Sequence, residues 1–154
     1  LATFRKLHSR LQGHPAVAEG LPGVRVATGS LGQGLSVAVG AALGKRMSQD
    51  SHLVYCLTGD GELNEGQIWE AAMFAAHHKV DNLIVTVDWN GKQIDGDTRD
   101  VLDMGDLGEK FRVFGWRTVP CAQGNDMAAV LEAQREAQRL SGQGAPVVVL
   151  MRTI

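Results

Sequence analysis

Short apolar runs alternate along this chain with longer stretches whose apolar positions recur every three or four residues. Leu53-Val54-Tyr55-Cys56-Leu57 has the length and composition of a buried strand, as do Leu83 to Val87, Trp116 to Cys121 and Pro146 to Met151. A helix running to about Met47 is predicted from Leu35, Ala38, Val39, Ala42 and Leu43 at helical spacing, with Ser30 as its N-cap. Gly32, Ser36, Gly40 and Gly44 fall four apart and form a smooth ridge on that helix. Each glycine there costs up to roughly 1 kcal/mol of helix propensity. Close approach to another backbone or a ligand would account for the ridge, and so would tight helix–sheet packing. Asn64 to Lys79 predicts a second helix, apolar nearly all round, and such a helix is buried on more than one side. Leu107 to Phe114 predicts a short helix. Asp126 caps another that runs to Leu140, with Met127, Val130, Leu131, Ala133, Ala137 and Leu140 turned inward. Glu132/Arg135 and Glu136/Arg139 are spaced for surface pairs on it. Residues 1–12 read as an amphipathic helix with Leu1, Phe4, Leu7, His8 and Leu11 on one side, followed by a loop from Gln12 to Val26. Strands alternating with helices predict an α/β fold, a parallel sheet with helices on both faces.

Composition narrows the function. A net charge of −2 over 154 residues gives no case for nucleic acid or an acidic membrane. No apolar run approaches the roughly 20 residues of a membrane span, and no signal-peptide pattern opens the chain. Cys56 and Cys121 lie on predicted strands without close spacing, which fits reduced core cysteines of a cytoplasmic protein better than a disulfide framework or zinc site. His77 and His78 are adjacent, so they fall on different faces of a helix and lack metal-ligand spacing. Trp69, Trp89 and Trp116 are expected as core or interface anchors.

The candidate chemistry lies where two predicted strands end. The first stops at Gly59-Asp60-Gly61, and the second ends in Asp88-Trp89-Asn90-Gly91. A strand–turn–helix–strand unit of this length favours parallel neighbours. Asp60 and Asn90 then emerge at one carboxyl edge, where open α/β sheets bind ligands. A carboxylate beside an amide oxygen suits a hard cation, which can in turn hold a diphosphate.

Gly59-Asp60-Gly61 with Asn90-Gly91 resembles the thiamine diphosphate signature. GDGELNEGQIWEAAMFAAHHKVDNLIVTVDWNGKQIDG, TGSLGQGLSVAVGAALGKR at 28–46 and LHSRLQGHP at 7–15 are similar to the N-terminal, diphosphate-binding part of transketolase, in the version split between two polypeptides. The resemblance covers nearly the whole chain. It implies a thiamine-diphosphate-binding fold, with thiamine diphosphate and Mg²⁺ or Ca²⁺ as cofactors. It makes Asp60, Asn90 and the Lys92 carbonyl the metal ligands. Gly29, Leu31, Gly59, Asp60, Gly61, Glu62, Asn90 and Ile94 become the cofactor-binding positions, with Ile94 set against the aminopyrimidine. His14, of the Gly13-His14-Pro15 motif, would face substrate. Glu65 and Glu70 match transketolase glutamates at a dimer interface between active sites. Lys92 departs from the pattern, since an aliphatic residue is more usual there.

The implied reaction is transfer of a two-carbon ketol unit from a ketose phosphate to an aldose phosphate. The implied partners are a C-terminal pyrimidine-binding transketolase subunit, a second copy of this chain, and the sugar phosphates. The glutamate needed on the aminopyrimidine belongs to the pyrimidine-binding domain. Residues 1–154 are expected to form a single diphosphate-binding domain truncated at both ends. A deoxyxylulose-phosphate synthase, a pyruvate-type dehydrogenase or a non-catalytic transketolase-like protein is the alternative. Asp60, Asn90, Glu65 and His14 together weigh against a non-catalytic relative, and Glu65 with GHP and TGSLGQG against the other enzymes.

Overall fold

The computed structural model describes residues 2–154. Helix α1 (Gln33–Met47) leads to strand β1 (Val54–Gly59), helix α2 (Gly66–His77) and strand β2 (Leu83–Trp89). Two short strands follow, β3 (Lys92–Gln93) and β4 (Gly96–Asp97), then helices α3 (Thr98–Leu102) and α4 (Leu107–Val113). Strand β5 (Arg117–Cys121), helix α5 (Met127–Leu140) and strand β6 (Val147–Arg152) complete the chain. The main sheet has the order β1-β2-β6-β5, all parallel, while β3 and β4 form a small antiparallel hairpin. Strand β6 is inserted between β2 and β5, so the strand order reverses beside β2. The predicted α/β class and parallel sheet hold.

Alternation along the central strands divides the core. Val85, Val87, Val148 and Leu150 face α1, α2 and α4, where Leu35, Ile68 and Phe111 are buried. Ile84, Val147 and Val149 face α5 through Ala133 and Ala137. Both faces of the inner strands are covered, as continuous apolar runs require. Trp116 is buried and donates its indole N–H to the Ala72 carbonyl at 2.9 Å. Phe111 lies between Trp69 and Trp116, with ring centroids 5.3 and 5.4 Å away. Cys56 and Cys121 are free, as expected.

Several expectations are corrected. Leu1 lies outside the described residues, and residues 2–12 form turns instead of a helix. Arg5 and His8 take positive φ, and Leu7 is 87% exposed, so no surface receives the apolar side on which a short helix depends. Helix α1 is capped by Gly32, not Ser30, whose N–H donates instead to the Thr28 hydroxyl at 2.9 Å. The helix predicted over 64–79 is preceded by a 3-10 turn, Gly61–Asn64, and broken from it by extended backbone at Glu65. It buries Ile68, Ala71, Ala72 and Ala75 on one side and leaves Met73 and Phe74 exposed on another. Gly40 and Gly44 have nothing within 4 Å of a built Cβ, so the small-residue ridge is not packed on the sheet. Met127 and Leu131 of α5 are exposed. The Glu136–Arg139 pair forms, and among the described residues Glu132–Arg135 does not. Among the described residues, no helix is long and apolar enough to cross a membrane.

Phe111→Ala should lower stability by roughly 3–5 kcal/mol, because the aromatic layer between α2 and α4 cannot collapse onto the void. Urea unfolding followed by tryptophan fluorescence should show the loss as an earlier midpoint at an unchanged slope.

Candidate functional site

In the parallel register Gly59 stands opposite Asp88, and the Asp60 N–H continues the ladder to the Asp88 carbonyl at 3.0 Å. Asp60 and Asn90 therefore leave the sheet at the same edge. Asp60 is only 2% exposed. Its Oδ2 accepts the Gly91 N–H at 2.9 Å and the Thr98 hydroxyl at 3.3 Å, while its Oδ1 is buried with no partner. A buried carboxylate with one bare oxygen is costly unless a cation meets it. Asn90 directly precedes the glycine that Asp60 holds, and its side-chain oxygen accepts the Lys92 N–H at 2.8 Å, shaping the turn into β3.

Gly61 makes the approach of that turn possible. A Cβ there would lie 2.8 Å from the Gln93 Cβ and 3.3 Å from the Lys92 carbonyl oxygen, so the second glycine of the motif seats the β3 backbone against the end of β1. The Lys92 ammonium pairs with Asp97 across the hairpin and holds that carboxyl below its usual value. A cavity of about 450 Å³ opens beside Asp60, Asn90, Gly91 and Lys92, at the reversal of strand order between β2 and β6. Arg152, also in its lining, stacks over Trp89, 3.5 Å from the ring centroid. Among the described residues no cluster of three or more His, Cys, Asp or Glu could hold a metal. The donors present are one carboxylate, one amide and one carbonyl, a hard-oxygen set that suits Mg²⁺ or Ca²⁺ completed by phosphate and water oxygens. These residues fit a metal-bound diphosphate.

The remaining sequence-predicted residues are placed apart from this cavity. Glu62 turns its carboxylate to the backbone, accepting the Gly32 N–H at 2.9 Å and the Gly59 N–H at 3.2 Å. Gly29 and Leu31 are exposed on the loop before α1, His14 is exposed on the segment before that, and Ile94 is 96% exposed at the hairpin tip. Glu65 and Glu70 are also exposed, so neither carries the desolvation cost of a buried carboxylate within this chain. Glu65 stands at the α2 N-cap without a capping bond, and Glu70 is in the second turn. Thr98 and Arg152 were not singled out from the sequence. Thr98 is 38 residues from Asp60, and only the β3–β4 hairpin, with the Thr98 N–H donating to the Gly91 carbonyl, folds it back.

Residues 1–154 match the family described as transketolase, thiamine diphosphate binding domain. The chain is 44% identical over 153 residues to an apulose-4-phosphate transketolase subunit of Actinobacillus succinogenes, covering 99% of this chain and 54% of that protein. It is 44% identical over 132 residues to 6-deoxy-6-sulfo-D-fructose transketolase subunit SqwG of a Clostridium species, covering 86% and 47%. Among solved structures, a Pichia stipitis transketolase in complex with sedoheptulose 7-phosphate superposes with a TM-score of 0.81 at 32% identity, over 98% of this chain and 23% of that one. The chain thus spans about half the length of these two curated relatives.

Close to the Glu62 contact, burial, followed by the Glu62 charge, pushes the Cys56 thiol up to about 11. A raised thiol pKa favours the folded state below the unfolded value and loses that advantage as pH climbs through the folded one. Stability should therefore decline between about pH 9 and 11. Urea titrations across that range should show a shallower decline for Cys56→Ala than for the wild type.

Proposed function

The chain belongs to the transketolase thiamine diphosphate-binding domain family, and from that premise we propose that it is the diphosphate-binding part of a two-subunit transketolase. Together with a pyrimidine-binding subunit it would move a two-carbon ketol unit from a ketose phosphate to an aldose phosphate. The observation that carries this reading is the buried, half-partnered carboxylate of Asp60 beside the Asn90 turn. Similarity to relatives named as transketolase subunits supports the split arrangement.

Asp60, Asn90 and the Lys92 carbonyl would hold the divalent cation, and through it the diphosphate. When bound, thiamine diphosphate supplies the carbanion chemistry of ketol transfer. This chain's own residues hold and orient. The Thr98 hydroxyl and the Gly91 N–H hold one oxygen of the Asp60 carboxylate, and the other, Oδ1, would be the one to meet the cation. Gly61 keeps the β3 backbone close enough to present a carbonyl. His14 would meet substrate from the segment before α1. Glu65 and Glu70, exposed beside Met73 and Phe74, would join a second copy or the partner subunit at an apolar contact.

Asp60→Ala and Asn90→Ala should each abolish Mg²⁺-dependent binding of thiamine diphosphate, measured by calorimetry with and without the metal. Affinity near the wild-type value in Asp60→Ala would refute the metal assignment. A second test concerns the division of labour between chains. Purified alone, the chain should show no ketol transfer between sugar phosphates. A pyrimidine-binding subunit, with cofactor and Mg²⁺, should restore transfer to a longer polypeptide that contains this sequence and matches the relatives in length. Robust transfer by this chain alone would refute the two-chain reading.

A further inference from the structure

We infer that Glu62 is a positioning residue, a carboxylate clamp that sets the gap between the loop before α1 and the end of β1. The inference rests on the thiamine diphosphate reading and deepens it, because the loop so held carries Gly29 and Leu31, and the strand end so held leads into the Gly59-Asp60-Gly61 turn. One carboxylate joins the two: Oε1 accepts from the Gly32 N–H at 2.9 Å and Oε2 from the Gly59 N–H at 3.2 Å. Hydrogen bonds from backbone N–H groups to an ionised carboxylate are stronger than neutral ones. The loop has little else to fix it. Among the described residues, the Thr28 hydroxyl bonds only Ser30 two residues on, Leu31 is exposed, and nothing lies within 4 Å of a Cβ placed on Gly29.

Gly32 itself is seated by shape. It is buried at a φ of 84°, and a Cβ there would lie 2.8 Å from the Glu65 Cβ. The clamp and the metal-ligand candidate share one rigid piece, since Glu62 is on the 3-10 turn that begins directly after Asp60. A shift of Asp60 therefore carries the loop with it. Direct contact between Glu62 and a diphosphate is disfavoured by repulsion between like charges, so its effect passes through the two loops.

Amide hydrogen exchange on the cofactor-free chain tests the clamp, with α5 as internal reference. In Glu62→Ala, exchange at Gly32 should rise about tenfold, the loss expected for a charge-assisted bond, while α5 is unchanged. Glu62→Gln, which keeps one acceptor, should fall between, and it carries the test if the alanine variant does not fold. Calorimetry with thiamine diphosphate and Mg²⁺ should then show affinity weakened about tenfold in Glu62→Ala and less in Glu62→Gln. Wild-type exchange in these variants, or faster exchange with unchanged affinity, would overturn the inference. Failure of the wild-type chain, combined with a pyrimidine-binding subunit, to bind the cofactor would count against the functional reading instead, and exchange at Gly32 would still decide whether Glu62 holds the loop.

Discussion

A carboxylate removed from water needs partners for both oxygens, and Asp60 has partners for one. The Gly91 N–H and the Thr98 hydroxyl reach Oδ2 from either end of a hairpin more than thirty residues downstream, and Oδ1 is left bare inside the protein. Leaving such a group unpaired costs more than a neutral hydrogen bond returns. Much of the surrounding architecture can be understood from that constraint. The parallel ladder places the carboxylate at the edge, Gly61 admits the neighbouring backbone, and the hairpin brings together the two donors that flank it and orient the carboxylate.

The constraint also separates this chain's fixed parts from its adjustable ones. Asp60 and Thr98 are buried, and the half-buried ends of β1 and β2 are tied by the parallel ladder. The segment carrying His14, Gly29 and Leu31 lies on the surface, and Ile94 stands almost fully exposed. A rigid anchor for charge is thus bordered by loops that present side chains, a common division between scaffold and recognition.

The parts of the fold set by short-range pattern were legible in the sequence. β1, β2, β5, β6 and α5 follow from apolar runs and the Asp126 cap, which accepts the Ala129 N–H at 3.2 Å. The edge that joins Asp60 to Asn90 followed from the length of the crossover between them. What pattern could not give depends on contacts distant in sequence. Residues 2–12 have helical spacing but no surface to dock on, so the spacing has no effect. Thr98 carries no signal of its own in the sequence, because its partner Asp60 lies 38 residues away, just past the end of β1. Glu62 is a cofactor-binding position by resemblance to the family, and only the fold brings the Gly32 N–H to its carboxylate. Met127 and Leu131 look like core residues by period, yet α5 rolls its narrower, alanine-lined face onto the sheet.

The insertion of β6 between β2 and β5 has a consequence for how the molecule assembles. The β1–α2–β2 unit is local, so Asp60 and Asn90 can be brought together by closing one modest loop. The β2–β6 ladder joins Ile84 to Val147 and must wait until a much longer stretch of chain has been gathered in. Pairings of such high sequence separation are slow to form. The two principal oxygen donors therefore belong to the early, short-range part of the folding sequence, and the strand that completes the sheet beside them arrives last.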